Sequence, residues 1–221
     1  MEISTKLNIS FLIAFNEGCS ETKKNWNWNK QRYNFFMKSN EFIYGNCKNN
    51  YYNFEEQINN NFNISKNEII VITNSNIVFD FNLINEVIPL LKKYSYVKPY
   101  QLKNLISKND TINIIKNSHT QNIDDFVFDA DMPGITSDDL IITTRERFKK
   151  IGGLDEYNIE WDYSLDFFLQ KLVELFGPYA MLIRKKIWSL YYPKVDYPSY
   201  GSGVNLTPLI NKKDQRRGDF F

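Results

Sequence analysis

Cysteine and histidine are scarce in this 221-residue chain: two cysteines, Cys19 and Cys47, and a single histidine, His119. Two cysteines without a Cys-x-x-Cys pairing exclude a disulfide scaffold and a thiolate zinc site. One imidazole excludes any mechanism that needs two. A metal site would have to be built from carboxylates, carbonyls or amides. Charge of one sign is missing as well, with 27 Lys plus Arg against 26 Asp plus Glu. That balance argues against nucleic-acid binding by bulk electrostatics. No apolar run approaches the ~18 residues that suggest a membrane span. The first apolar stretch, residues 9–15, is short and is followed at once by Asn16 and Glu17. It reads as a buried strand rather than a signal peptide, and a cytoplasmic location is expected.

What is present is a globular composition. A hydrophobic share of 43% and an aromatic share of 16% exclude wholesale disorder. A chain of this length forms one large domain or a domain plus a tail. Asparagine is abundant, with 28 residues of which 25 precede residue 123. Together with abundant Ile and Lys, this suggests an AT-rich genome, viral or bacterial, more than a function. His119 lies in a polar loop and reads as a surface residue.

Apolar runs alternate with polar helical stretches through the first two-thirds. Strands are expected at residues 9–15, 41–44, 68–73 and 95–98, with helices at 21–38, 54–62 and 83–93. Such alternation indicates βαβ units and a largely parallel sheet. Ligands then bind beyond the carboxyl ends of the strands, at residues 15–18, 44–46 and 74–76. Residues 111–133 read as irregular, and 139–144 as a strand. Leu165, Phe168, Leu169, Leu172 and Phe176 recur at helical spacing and define an amphipathic helix over 162–176. Short strands are expected at 179–183 and 187–191. The tail from Pro193 carries Lys212, Lys213, Arg216 and Arg217 without periodicity and reads as a linker or lid.

The most informative stretch is residues 138–172. It contains Thr144-Arg145-Glu146-Arg147-Phe148, then Ile151-Gly152-Gly153-Leu154-Asp155-Glu156, then Trp161-Asp162. Read alone, Gly152-Gly153 can end a helix in left-handed geometry, and Asp162 can be an N-cap. Trp161 is either core filler or a platform for a sugar ring. Read together, this block resembles the second half of a GT-A fold glycosyltransferase of families 2 and 7. Residues 10–18 (SFLIAFNEG) and 55–79 resemble the first half, and the likeness spans residues 8 to about 193.

The resemblance implies an α/β fold with a Rossmann-like, mixed, mainly parallel sheet flanked by helices in one domain, residues 1–193. Residues 1–110 would bind the nucleotide-sugar, 111–193 the acceptor, and 194–221 would form a basic extension. Phe15, Asn16, Glu17, Tyr44, Asn46, Asn59, Asn74, Ser75 and Asn76 are the implied donor-binding residues. Trp161, Asp138, Asp139, Asp155 and Glu156 are implied on the acceptor side, with Asp162 as general base.

Such proteins usually hold Mn2+ or Mg2+ on an Asp-x-Asp after the third strand. Here that place reads Asn74-Ser75-Asn76, whose amides bring no charge, so Asn76 is a weak metal ligand. Asp129 and Asp131 form a second Asp-x-Asp in an unusual place. Lys98, Arg184, Lys185 and the tail cations are candidates to replace a metal. The implied activity is inverting transfer of a sugar, from a UDP-sugar in the favoured case, to a glycan or glycoconjugate hydroxyl. The alternative is a degenerate, non-catalytic domain that binds nucleotide-sugar or glycan. A nucleotidyltransferase would need a Gly-rich phosphate loop followed by Lys, which the chain lacks.

Overall fold

The computed structural model describes residues 8–38, 40–45, 53–126, 134–135, 138–156 and 161–193, with the backbone alone for 134–135 and 161–164. Asn46, Asp129, Asp131 and the tail 194–221 lie outside the described residues, as do the side chains of Trp161 and Asp162.

The chain starts with β1 (Ile9–Ala14), α1 (Ser20–Phe36), β2 (Glu41–Tyr44), α2 (Phe54–Ile64) and β3 (Ile69–Asn74). It continues through β4 (Ile77–Val78), α3 (Asn82–Val87), β5 (Val97–Lys98), β6 (Leu102–Leu105) and α4 (Lys108–Lys116). Then follow β7 (Gly134–Ile135), β8 (Leu140–Thr144), α5 (Arg145–Ile151), α6 (Trp161–Phe176), β9 (Ala180–Met181) and β10 (Lys186–Ser189). No helix among the described residues is long and apolar enough to cross a membrane.

Six strands form the main sheet in the order β2-β1-β3-β8-β5-β9. The pairs β2–β1, β1–β3 and β5–β9 are parallel, whereas β8 runs antiparallel to β3 and β5. Why β1 and β3 are nearly unbroken apolar runs follows from their position, since helices cover both faces. Phe11, Ile13, Val71, Leu140 and Ile142 point to one face and meet Trp26, Tyr33, Ile84 and Val87. Leu12, Ala14, Ile70, Ile72 and Ile141 point to the other and meet Phe54, Ile58, Phe148, Leu165, Phe168 and Leu172. The apolar stripe of α6 is thus buried as its spacing requires, at about 1.5–3 kcal/mol for each large side chain.

A second, four-stranded sheet, β4-β10-β6-β7, was not anticipated. Helix α1 lies between the two sheets. Residues two apart on a helix point to roughly opposite sides, so Trp26 enters the main-sheet core while Trp28 packs with Val78 and Trp188 of the smaller sheet and with Ile114 of α4.

Two expectations need correction. The stretch expected to be irregular contains α4, capped by Ser107, whose Oγ accepts from the Asp110 N–H at 3.1 Å and donates to its carboxylate at 2.8 Å. The helix expected over 83–93 leaves α geometry after Val87 and continues as a 3-10 turn, Ile88–Lys92. Pro89 has no N–H for the α ladder.

Candidate functional site

The carboxyl ends of β1, β2 and β3 lie at one edge of the main sheet. Because β8 is antiparallel to β3, with Leu140 beside Thr73, its first residues arrive at that same edge. Three backbone turns and two carboxylates therefore converge there.

Just after β1, the buried Gln57 side chain of α2 takes the place of a strand partner. The Phe15 N–H donates to its Oε1 at 2.6 Å and its Nε2 donates to the Phe15 carbonyl at 2.9 Å. With the backbone held, Asn16 turns the chain outward, its Oδ1 accepting from the Gly18 N–H at 3.0 Å. Glu17 is exposed and lies against Gly45, at the end of β2. The Phe15 ring is buried against Trp26 and Tyr44, while Tyr44 is half-buried and accepts from Lys30 Nζ at 2.5 Å.

After β3, residues 74–76 are held by a chain of amide hydrogen bonds. Ser75 N–H donates to the Ala14 carbonyl at 2.9 Å, extending the β1–β3 pairing. Asn74 Oδ1 accepts from the Asn76 N–H at 3.0 Å, and Asn74 Nδ2 donates to Asp139 Oδ1 at 3.2 Å. Asn76 Oδ1 accepts from Asn25 Nδ2 at 2.9 Å. Asp139 Oδ2 is met by Lys103 Nζ at 2.5 Å, and Asp138 Oδ1 by Lys98 Nζ at 3.0 Å. Asp138 and Asp139, expected to face the acceptor, are thus tied to two lysines and to Asn74.

The loop after α5 is held onto α2. Gly152 and Gly153 both adopt left-handed backbone, with φ of 90° and 88°. Asn59 Oδ1 accepts from the Leu154 N–H at 2.9 Å, while its Nδ2 donates to the Leu154 carbonyl and to Glu156 Oε1, both at 2.8 Å. A Cβ on Gly153 would stand 2.5 Å from Asn59 Oδ1, so that position requires glycine. Asn59, expected at the nucleotide, therefore has its amide committed to the loop that carries Asp155 and Glu156.

Beside this loop stands Glu55, buried in the first turn of α2. Burial first, and the neighbouring Asp155 and Glu156 second, push its carboxyl up to about 7. Its Oε1 has no hydrogen-bond partner among the described residues. Sequence reasoning missed Glu55, Gln57, Asn25 and Lys103: the first two lie within the family-like stretch 55–79 but were given no role, and the other two sit in no recognisable motif.

No family model and no curated protein matches this chain. Solved structures do. The catalytic domain of Drosophila β1,4-galactosyltransferase 7, in complex with xylobiose, superposes with a TM-score of 0.55 at 13% identity. The match covers 94% of this chain and 81% of that one. A mutant of the same Drosophila enzyme, complexed with manganese, UDP-Gal and xylobiose, gives a TM-score of 0.52 at 13% identity. That match covers 85% of this chain and 71% of that one.

The chain has the GT-A glycosyltransferase fold. At this identity the likeness carries the architecture, and ligand chemistry must be judged from the residues present. Where the GT-A resemblance implies a metal-binding Asp-x-Asp, the amide oxygens of Asn74 and Asn76 already accept from N–H groups, and both Asp139 oxygens are engaged. Among the described residues no group of three His, Cys, Asp or Glu side chains is placed to hold a metal ion. At residues 74–76 and 139 no unpaired carboxylate is present among the described residues to hold a divalent cation.

Proposed function

We propose that this protein is an inverting glycosyltransferase that moves one sugar from a nucleotide-sugar, a UDP-sugar in the favoured case, to a glycan hydroxyl. The observation that carries the proposal is the convergence of residues 15–17, 74–76 and 138–139 at the carboxyl edge of a GT-A sheet, beside the glycine loop. The nucleotide would lie over Phe15, Asn16, Glu17 and Tyr44. The acceptor would approach from the side of Asp155, Glu156 and the start of α6.

Asp162 is the proposed general base. It is the second residue of α6, and a carboxylate in the first turn of a helix is held ionised by the partial positive charge there. An ionised carboxylate can take the hydroxyl proton as the oxygen attacks the anomeric carbon opposite the leaving nucleotide. Asn59 acts indirectly, by fixing the loop that carries Asp155 and Glu156.

The test is Asp162→Asn, followed by nucleotide release in the transfer assay and by calorimetric nucleotide binding. Transfer should fall roughly 100-fold or more, the scale of general-base catalysis, with nucleotide affinity nearly unchanged. Undiminished transfer would reject the assignment. A non-catalytic nucleotide-sugar- or glycan-binding domain is the second reading. It is favoured by the uncharged asparagine network at residues 74–76, and binding without turnover for any donor and acceptor pair would establish it.

A further inference from the structure

We infer that the donor diphosphate is met by fixed lysine ammonium groups, Lys103 and with it Lys98, in place of a divalent cation. The inference rests on the donor-site reading above and gives that site its charge chemistry.

Lys103 comes from β6 in the small sheet and reaches Asp139 at the edge of the large one. The link from Lys103 through Asp139, Asn74 and Asn76 to Asn25 joins both sheets and α1. It occupies the turn after β3, where the GT-A resemblance implies metal ligands. Lys98, at the end of β5, stands beside Asp138 and over the Tyr100 ring, and both lysines are buried.

The charges decide between a metal and a lysine. Lys98 and Lys103 balance Asp138 and Asp139, so these four side chains sum to zero charge without a metal. Aspartates at positions 74 and 76 would make the site strongly negative and call for a divalent cation; asparagines do not. Each ammonium carries three donors, and among the described residues each is paired with a single carboxylate. The donors left over are what phosphate oxygens need, and charge-assisted bonds of this kind are among the stronger ones.

Of the other candidate cations, Lys185 is engaged with Glu86 at the surface, 2.7 Å away. Arg184 lies in the same turn between β9 and β10, held through its backbone N–H to Gln101.

The experiment is calorimetric titration of the full chain with UDP and with GDP, once in EDTA and once with Mn2+. The inference expects a nucleotide to bind equally well, within about threefold, in the two conditions. The double variant Lys103→Met with Asp139→Asn removes the ion pair together, so that no charge is left buried alone. It should bind at least tenfold more weakly in EDTA, as expected when a charge-assisted hydrogen bond is lost. Binding that requires Mn2+ would overturn the inference while leaving the donor site intact. Metal-indifferent binding that survives the double variant would overturn the role of Lys103. No binding of either nucleotide in either condition would overturn this inference together with the donor-site reading.

Discussion

The two sides of the functional edge are built in opposite ways. On the acceptor side, the glycine loop and its anchor involve one local block, residues 152–156, and a single residue of α2, Asn59. On the donor side, five residues from four separate segments form one hydrogen-bonded chain: Asn25, Asn74, Asn76, Lys103 and Asp139. A local device depends on backbone geometry, so a methyl group can break it. A distributed device depends on each polar group finding its partner, so truncation breaks it.

Substitutions separate the two sides. Gly153→Ala should cost the most, about 2–4 kcal/mol in urea unfolding, because left-handed strain adds to a clash with Asn59. Asn25→Ala should cost about 1–3 kcal/mol, since it strands the Asn76 amide oxygen and the Tyr191 carbonyl. Gly152→Ala should cost least, about 1–2 kcal/mol, because its Cβ meets nothing within 4 Å and only the backbone strain remains. Nucleotide affinity should drop several-fold in Asn25→Ala alone. If Gly153→Ala weakens nucleotide binding equally, the two sides are one coupled unit and the contrast is wrong.

The same contrast explains what was legible in the sequence. β1 and β3 announce themselves as nearly continuous apolar runs and α6 through apolar periodicity, the patterns that two-faced and one-faced burial impose. The left-handed end of α5 at Gly152 follows from the Gly-Gly pair. Of the small sheet only β10 was expected, as the strand at 187–191; its partners are short, and Lys103 interrupts the apolar pattern of β6. Helix α4 was hidden because only Ile114 among its isoleucines is fully buried, with Ile112 exposed. At the site, the turns after β1, β2 and β3 were readable from topology alone. Lys103 was not, since its partner lies 36 residues away on another sheet. Trp26 and Trp28 stand two apart on α1, which lies between two sheets and sends them to separate cores.

The central claim is that a nucleotide-sugar binds at the carboxyl edge of β1, β3 and the start of β8. Hydrogen–deuterium exchange with and without a saturating nucleotide-sugar tests it most directly. The account predicts slowed exchange in peptides covering residues 14–18, 74–76 and 138–140, with no change over α4. Protection confined to α4 and the small sheet, with residues 14–18 and 74–76 unaffected, would contradict it.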